Sequence, residues 1–256
     1  MNSLHKVLLA CVPMLGLAAC GGGDTADRLD LADPVVRFVD ASENAPNLTL
    51  SRGGVARADA TNVSYLYASD YFNVDTSAAD WSVKAAAAGT MFGTVPIDPV
   101  RGNRYTIVAL PASLNNTTVA LISDPYNKSL TSDSTRLRFL NASYNADSID
   151  VYVNAPGTSI AAAGVNPKIA ATAFKTAGPA SGQDSVDVPG GNYQVTMTIA
   201  GSKTVLFQGL LSFAANKDVL LMSVPGPVLP LAIQPTDVKA LVKIEGTAGA
   251  TEIARI

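Results

Sequence analysis

Hydrophobic and polar residues alternate along much of the chain from residue 35 onward. In "SIDVYVN" at 148–154, Ile149, Val151 and Val153 fall on one face, with Asp150 and other polar side chains on the opposite face. The segment "NYQVTMTIAG" at 192–201 has the same pattern. Period-two alternation in runs rich in Val, Ile, Thr and Tyr is typical of half-buried β-strands. Because clusters of Gly, Pro and Asn separate these runs, the sequence predicts an all-β protein.

Two apolar segments are less regular. The run "AAAA" at 85–88 has no helix caps around it, so it is predicted to continue a strand, with a short helix as the alternative. The run "VLLMSVPGPVLPLAI" at 219–233 is interrupted by three prolines. Proline is confined to the edges and ends of strands, so this run is predicted to be two short strands around a turn rather than a membrane span.

One phrase occurs twice. The chain reads "VRFVDAS" at 36–42 and "LRFLNAS" at 137–143, and a second strand pattern follows each copy, at 46–51 and 148–154. Each unit ends in an apolar hairpin pattern, at 104–123 and 217–235, and a weaker echo begins at Val242. Such a repeat indicates tandem structural units. We therefore predict two domains, at 35–127 and 128–236, followed by a C-terminal strand or extension at 237–256.

The size of each unit indicates its architecture. About one hundred residues with roughly seven short strands is typical of an immunoglobulin-like β-sandwich. A unit of this size can bury a core without disulfide bonds. The predicted fold is two tandem immunoglobulin-like β-sandwich domains, and a β-barrel-like arrangement is the alternative.

The N-terminus has the pattern of a secretory signal. Lys6 precedes an apolar stretch that runs from Val7 to Ala19, which is too short to span a bilayer. The stretch ends in "LAAC", which resembles the bacterial lipobox. The resemblance implies that residues 1–19 are removed and that Cys20 carries a lipid anchor; an ordinary signal peptide is the alternative. Residues 20–34, rich in Gly and Asp, are predicted to be a flexible tether.

These features predict a location in the cell envelope, with the membrane as a partner through the lipid on Cys20. Gly21 stands where lipoproteins retained in the inner membrane have an aspartate, which favours the outer membrane. The formal net charge is −3 and the chain has no basic run, so no nucleic-acid partner is expected.

The supply of catalytic side chains is small. The single histidine is His5, and the two cysteines are Cys11 and Cys20. Processing after Ala19 would leave no histidine and no free thiol, which removes Ser–His–Asp triads, thiol nucleophiles and most zinc sites. Only three of the 21 acidic residues are glutamates, and most aspartates lie beside turn residues. We therefore predict a protein that is not an enzyme and has neither cofactor nor metal.

The first unit contains an aromatic stretch that the second lacks. The segment "TNVSYLYASDYFNVDTSAADW" at 61–81 holds Tyr65, Tyr67, Tyr71 and Trp81. Exposed aromatic side chains stack on sugars or anchor protein partners, whereas buried ones fill cores. These four residues are the candidate binding site, with a role in the core as the alternative.

Several motifs are similar to those of one family. The segments "LRFLNASYNADSIDVYVN" and "VDVPGGNYQVTM" resemble DUF4397, a bacterial envelope domain of unknown function. The resemblance covers most of 136–235 and is weaker over 35–125, where "VRFVDASENAP" is followed by "NLTL". It implies an exported or surface lipoprotein and brings no catalytic residues. The predicted function is a lipid-anchored envelope protein with a structural or protein-interaction role; the alternative is a carbohydrate-binding surface module or weak glycan hydrolase.

Overall fold

The computed structural model of the protein describes residues 32–126, 132–226 and 237–256. These residues form β-strands and turns, with one short 3-10 turn at Ala58–Ala60. None of their helical segments has the length and apolar character needed to cross a membrane. The predicted signal peptide, Cys20 and most of the tether lie outside the described residues.

The first sandwich consists of two four-stranded sheets. Its strands are β1 (Val35–Asp40), β2 (Leu48–Arg52), β3 (Val55–Ala56), β4 (Phe72–Asn73), β5 (Ala79–Ala85), β6 (Met91–Ile97), β7 (Arg104–Ser113) and β8 (Asn116–Asp124). The sheet with the order β4-β1-β7-β8 is called the first inner sheet, and the sheet β3-β2-β5-β6 the first outer sheet.

The second sandwich repeats this plan. Its strands are β9 (Ser134–Asn141), β10 (Ser148–Asn154), β11 (Ile169–Ala173), β12 (Ala177–Gly178), β13 (Val186–Pro189), β14 (Gly191–Ile199), β15 (Val205–Phe213), β16 (Asp218–Pro225), β17 (Val238–Ile244) and β18 (Thr251–Ile253). The second inner sheet has the order β12-β9-β16-β17-β18, with β13 also paired to β9. The second outer sheet has the order β11-β10-β14-β15.

The repeated phrase forms the equivalent strand in each inner sheet. Strand β1 pairs in parallel with β7, and β9 pairs in parallel with β16. Each of these partners then pairs antiparallel with the next strand, β8 or β17. All four sheets are open, and each sandwich has two of them. The prediction of an all-β protein with tandem immunoglobulin-like sandwiches is confirmed.

The four sheets are stacked, and an apolar cluster fills each of the three spaces between neighbouring sheets. One fills the first sandwich, around Phe38, Trp81 and Ile107, and another fills the second sandwich, around Phe139 and Phe207. The third lies between the two inner sheets. It contains Val39, Ala41, Ala68, Val108, Leu110, Ala120, Ile122, Leu140, Ala142, Leu220, Met222, Val224, Leu241 and Ala250. The inner sheets are therefore buried on both faces, and the sandwiches pack face to face.

The structure differs from the sequence reading at the alanine run. Strand β5 ends at Ala85, and residues 86–88 form the turn that leads to β6. The predicted strand through residue 88 is wrong, because the chain must reverse there for β5 and β6 to pair. In the 219–233 run, β16 is present, whereas the second predicted strand falls on residues 227–236, outside the described residues.

The C-terminal residues complete the second inner sheet. Strand β17 pairs with β16 from Val238 to Ile244, and β18 pairs with β17. The weak echo at Val242 therefore lies within β17.

Candidate binding site between the two sandwiches

Charged side chains fill one end of the space between the inner sheets. Because side chains alternate along a strand, Phe38 of β1 points into the first sandwich, whereas its neighbours Arg37 and Val39 point towards the other sandwich. At the charged end this face carries Arg37, Arg104, Asp124, Arg136, Arg138, Asp218 and Lys243. Five of these residues are cations, and all five are at most 9% exposed. Burial of so many charges requires partners for them.

Several of these charges pair across the two sandwiches. Arg104 Nη1 lies 3.1 Å from Asp218 Oδ2 and 3.0 Å from Glu245 Oε1. Arg136 Nη2 lies 2.9 Å from Asp124 Oδ1. Removing one partner of a buried ion pair typically costs about 3–5 kcal/mol, because the other charge is left uncompensated. The pairs therefore fix how the two sandwiches are placed relative to each other.

The internal repeat explains one of these pairs. Arg104 is aligned with Val35 in the first inner sheet, and Asp218 is aligned with Arg136 in the second. Val35 and Arg136 precede the repeated phrases by one residue, so positions 104 and 218 are equivalent. The two halves of the molecule thus carry opposite charges at the same position, and these charges meet at the interface.

A cleft opens at this charged end. It has a volume of about 280 Å³ and is lined by Val35, Arg37, Ser69, Asp70, Tyr71, Arg104, Lys243, Glu245 and Gly246. We call it the charged cleft. Both sandwiches contribute to its walls, so the cleft exists only when the inner sheets are packed together.

Arg37 lies in the wall of the charged cleft. Its Nε donates a hydrogen bond of 2.9 Å to Thr106 Oγ1, and its guanidinium lies 4.6 Å from the centre of the Tyr71 ring. Tyr71 is also hydrogen-bonded to Thr106, with 3.3 Å between the two hydroxyl oxygens. Burial raises the pKa of Tyr71, whereas the Arg37 charge lowers it. A neutral tyrosine therefore holds a charged arginine in place.

Lys243 lies on the opposite wall of the cleft, in β17. Its side chain is 2% exposed, and Nζ donates a hydrogen bond to the carbonyl oxygen of Thr247. Asp70 Oδ1 lies 3.7 Å from Nζ, but the Asp70 side chain is 84% exposed. Burial lowers the pKa of Lys243; the Asp70 charge raises it, and the Arg37 charge lowers it. The lysine is thus a buried cation with one solvated counter-ion.

A second cleft lies at the other end of the interface. It also has a volume of about 280 Å³, and its walls include Ala41, Pro111, Leu114, Tyr144 and Val224. Across it, the Lys239 amine lies 2.9 Å from a carboxylate oxygen of Glu43. The two ends of the interface therefore differ, with buried charges at one and apolar walls at the other.

The aromatic residues of the predicted site do not form one surface. Trp81 is 0% exposed and packs against Phe72 in the core of the first sandwich. Tyr65 packs against the apolar cluster between the sandwiches, and burial raises its pKa. Tyr67 packs against the first core, and its hydroxyl donates to the carbonyl oxygen of Asp59. Tyr71 alone lines the charged cleft.

The arrangement of Trp81 follows from its strand. In β5, Trp81 and Val83 point into the sandwich, whereas Lys84 points to the other side of the sheet. The ring is therefore not available to an external ligand. Cys20 lies outside the described residues. Within the described part of the chain, no group of three or more His, Cys, Asp or Glu side chains is arranged to hold a metal ion.

The first sandwich and its junction with the second match a known family. Residues 34–152 match the model of DUF4397, described as a domain of unknown function. Residues 34–152 are a DUF4397-like domain. This domain covers the first sandwich together with β9 and most of β10, and it contains both copies of the repeated phrase.

The position of the DUF4397-like domain differs from the expectation. The family predicted from the sequence is confirmed, but the motifs placed the closer resemblance on 136–235, and the family match ends at residue 152. No curated protein matches the chain.

Among the solved structures that match, two have low sequence identity to this chain and low TM-scores. One is the module CBMbc (family CBM26) of Eubacterium rectale Amy13K in complex with maltoheptaose; its identity is 10%, the match covers 87% of this chain and 97% of that one, and the TM-score is 0.23. The other is a candidate cell adhesion protein from Bacteroides ovatus, with 9% identity, 83% and 96% coverage, and a TM-score of 0.24. At these TM-scores, nothing that either protein binds is transferred to this chain.

Apart from Tyr71, the sequence reading missed the residues that line the charged cleft, above all its cations. Arg37 and Arg138 occupy the same position in the two repeated phrases, between two apolar residues of a strand. The signal for a functional residue here was an arginine that lies between two apolar residues of the same strand. It could have been read as a charge held between two packed sheets, since runs that are nearly continuously apolar indicate strands buried on both faces.

Proposed function

We propose that the chain is a lipid-anchored cell-envelope protein that binds a partner molecule and catalyses no reaction. In this proposal Cys20 carries the anchor, residues 20–34 form the tether, and the two sandwiches act as one binding unit. The anchor places the protein at a membrane, with the outer membrane favoured by Gly21. The absence of histidine after His5 supports a role in binding rather than catalysis.

The observation that carries the proposal is the buried contact between the inner sheets. Fourteen apolar residues and the ion pairs of Arg104 and Arg136 lie between the sandwiches. Separating the sandwiches would expose this apolar surface to water, which is unfavourable, and would break the ion pairs between them. Clefts formed jointly by both sandwiches therefore keep a fixed shape, and a preformed shape reduces the entropy lost on binding.

The carbohydrate alternative depends on exposed aromatic side chains. Trp81 and Tyr67 pack in or against the core of the first sandwich, so they do not provide a stacking surface. We therefore favour binding through the interface clefts over stacking on a flat aromatic platform.

The anchor can be tested with the two cysteines of the chain. We expect the wild-type protein to incorporate labelled palmitate and to sediment with membranes. The variant Cys20→Ala should lose both properties, whereas Cys11→Ala, altered within the segment that is removed, should keep them. Labelling that persists in Cys20→Ala would contradict the anchor.

The binding role needs a separate test. Protease treatment of intact and of permeabilised cells will show which side of the membrane the sandwiches face. Photo-crosslinking from position 114, at the second cleft, should give a discrete product, and Lys84, on the first outer sheet, serves as the control position. If Leu220→Glu, which should separate the inner sheets, leaves the product unchanged, the fixed two-sandwich unit is not what the partner recognises.

A further inference from the structure

The charged cleft carries more positive than negative charge. Its lining has three cations and two carboxylates, which gives a formal charge of +1. Arg104 is engaged with Asp218 and Glu245. The excess therefore resides on Arg37 and Lys243, which face the cleft from opposite sandwiches.

Arg37 has hydrogen-bonding capacity to spare. Its single hydrogen bond to the described residues leaves from Nε, and it forms no ion pair with any of them. The two terminal amino groups, with four N–H donors, remain for a ligand. The residue is only 5% exposed, so bulk water can hydrate it only in part. A buried charge without a counter-ion is costly, and an anion in the cleft would relieve that cost.

The equivalent arginine of the second sandwich has both terminal amino groups engaged. Arg138 Nη1 donates to the carbonyl oxygens of Pro179 at 2.6 Å and Ala180 at 3.0 Å, and Nη2 donates to that of Gln183. These carbonyls belong to the loop between β12 and β13, at 179–185, which passes beside Arg138. In the second sandwich, backbone carbonyls of this loop thus occupy the terminal amino groups of the arginine.

The corresponding loop in the first sandwich is much shorter. The backbone N–H of Ser69 donates a hydrogen bond to the carbonyl oxygen of Phe38, and Phe72 pairs with Val36. Only residues 70 and 71 therefore pass beside Arg37. Two residues cannot wrap a guanidinium in carbonyl groups. They supply the Tyr71 ring beneath it instead and leave its outer edge open to the cleft.

We propose that the charged cleft binds the carboxylate group of a small acidic ligand, with Arg37 and Lys243 as its two cationic contacts. A planar guanidinium presents two parallel N–H donors that match the two oxygens of a carboxylate. One negative charge balances the excess of +1, whereas a phosphate dianion would exceed it. The volume of about 280 Å³ admits a group of the size of a single acidic sugar or organic acid.

This inference deepens the proposed binding role and rests on the two sandwiches being packed together. Its test is nonetheless distinct, because it uses a defined small molecule and the purified full-length chain. A chain that binds the carboxylate but gives no crosslinked product in cells would contradict the partner-binding role alone. A chain that gives the product but binds no carboxylate would contradict this site alone.

The experiment is a calorimetric titration of the full-length chain with glucuronate, with glucose as the neutral probe of similar size. We expect saturable binding of glucuronate and none of glucose. Arg37→Met should weaken glucuronate binding at least about tenfold, which corresponds to the loss of one charge-assisted contact. Lys243→Met should also weaken it, whereas Lys84→Met, on the first outer sheet, should not. A thermal melt of each variant shows that it is folded.

Additional probes decide the chemistry. Arg37→Lys keeps the charge and loses the planar fork, so it should weaken binding less than Arg37→Met. Acetate tests whether the carboxylate group alone is bound. Tighter binding of glucuronate than of acetate would identify the ligand as an acidic sugar. Equal binding of the two would identify it as an organic acid. Tighter binding of inorganic phosphate, equal binding of glucose and glucuronate, or unchanged glucuronate binding in Arg37→Met would each overturn the proposal.

Discussion

The same seven-residue phrase has different surroundings in the two sandwiches. In both copies the phenylalanine, Phe38 or Phe139, fills a sandwich core, and the preceding arginine faces the other sandwich. In the second sandwich, a loop of seven residues accepts hydrogen bonds from both terminal amino groups of the arginine through backbone carbonyls. In the first sandwich, two residues pass the same point, and Arg37 is left at a cleft. The repeat therefore builds the fold twice, while loop length makes only one copy a candidate site.

The fifth residue of the phrase shows a second difference. Asn141 donates through Nδ2 to the carbonyl oxygens of Ala146 and Thr172. Asp40, at the equivalent position, accepts a hydrogen bond from the Ser42 N–H through Oδ1, but Oδ2 has no partner among the described residues. Burial raises the pKa of Asp40 to about 7, although the Ser42 N–H lowers it. The first copy again carries an uncompensated polar group where the second is satisfied.

The strongest test of the shared fold removes each core phenylalanine. Phe38→Ala and Phe139→Ala should each lower the free energy of unfolding by about 3–5 kcal/mol, because both side chains are fully buried and each leaves a cavity. Urea denaturation followed by tryptophan fluorescence and circular dichroism will measure both. Because the inner sheets share a core, we expect one cooperative transition in each variant.

An exposed valine serves as the control for the two buried phenylalanines. Val55→Ala, at a side chain that is 73% exposed, should change stability by less than about 0.5 kcal/mol. If Phe38→Ala produces an early separate transition while the second sandwich unfolds as in the wild type, the two sandwiches unfold independently.

Changing Asp40 to the residue of the other copy should stabilise the protein. The pKa of Asp40 rises from 3.8 to about 7 on folding, so the contribution of Asp40 to stability is fully present below about pH 4 and is lost as the pH rises through about 7. Asp40→Asn removes this loss. It should stabilise the protein at pH 8 by about 2–4 kcal/mol, since one pKa unit corresponds to about 1.4 kcal/mol. The gain at pH 4 should be small.

The geometry of the turn supports a further gain from Asp40→Asn. Ala45 donates its N–H to the carbonyl oxygen of Ser42, as Ala146 does to Ser143. The Ala45 carbonyl should therefore accept a hydrogen bond from an asparagine at position 40, as Ala146 does from Asn141. Thermal melts between pH 4 and pH 8 will measure the effect, with Asp75→Asn, at an exposed ion pair, as the control. A pH-independent change would show that Asp40 does not titrate in this range.

Much of the fold could be predicted from the sequence, because alternation and the repeat are local signals. The strands of 148–154 and 192–201 and the two sandwiches follow from them. The packing of the inner sheets could not be predicted in the same way, since period two does not say what covers the second face of a strand. "VLLMSV" in β16 is apolar on both faces, which indicates burial on both sides but names no partner.

The candidate site was harder to predict for a related reason. The aromatic stretch drew attention by composition, yet Trp81 faces the core because of its position in β5, which composition does not reveal. Arg37 was visible in the repeated phrase. Its role depends on the length of a loop more than thirty residues away in sequence, and only the paired strands show which loop passes beside it.

Removing Arg138, which is bonded to the loop carbonyls, should lower the free energy of unfolding more than removing Arg37, which lies at the charged cleft. Arg138→Met should lower the free energy of unfolding by about 2–3 kcal/mol, because three carbonyl groups lose a charged donor in a buried place. Methionine fills much of the volume, so the loss reflects hydrogen bonding more than a cavity. Urea denaturation is the measurement. If Gln183→Ala, which keeps the backbone carbonyl, costs as much as Arg138→Met, the loop is held by its side chains instead.

The smallest effect is expected at Arg37. Arg37→Met removes one hydrogen bond to Thr106 and the stacking on Tyr71, but it also removes a buried charge that has no counter-ion among the described residues. These contributions oppose each other, so stability measured in urea should change by less than about 1 kcal/mol. Thr106→Val, which removes the same hydrogen bond and keeps the charge, should destabilise the protein more. If Arg37→Met costs as much as Arg138→Met, Arg37 is a structural arginine like its copy, and the two halves of the molecule do not differ in role.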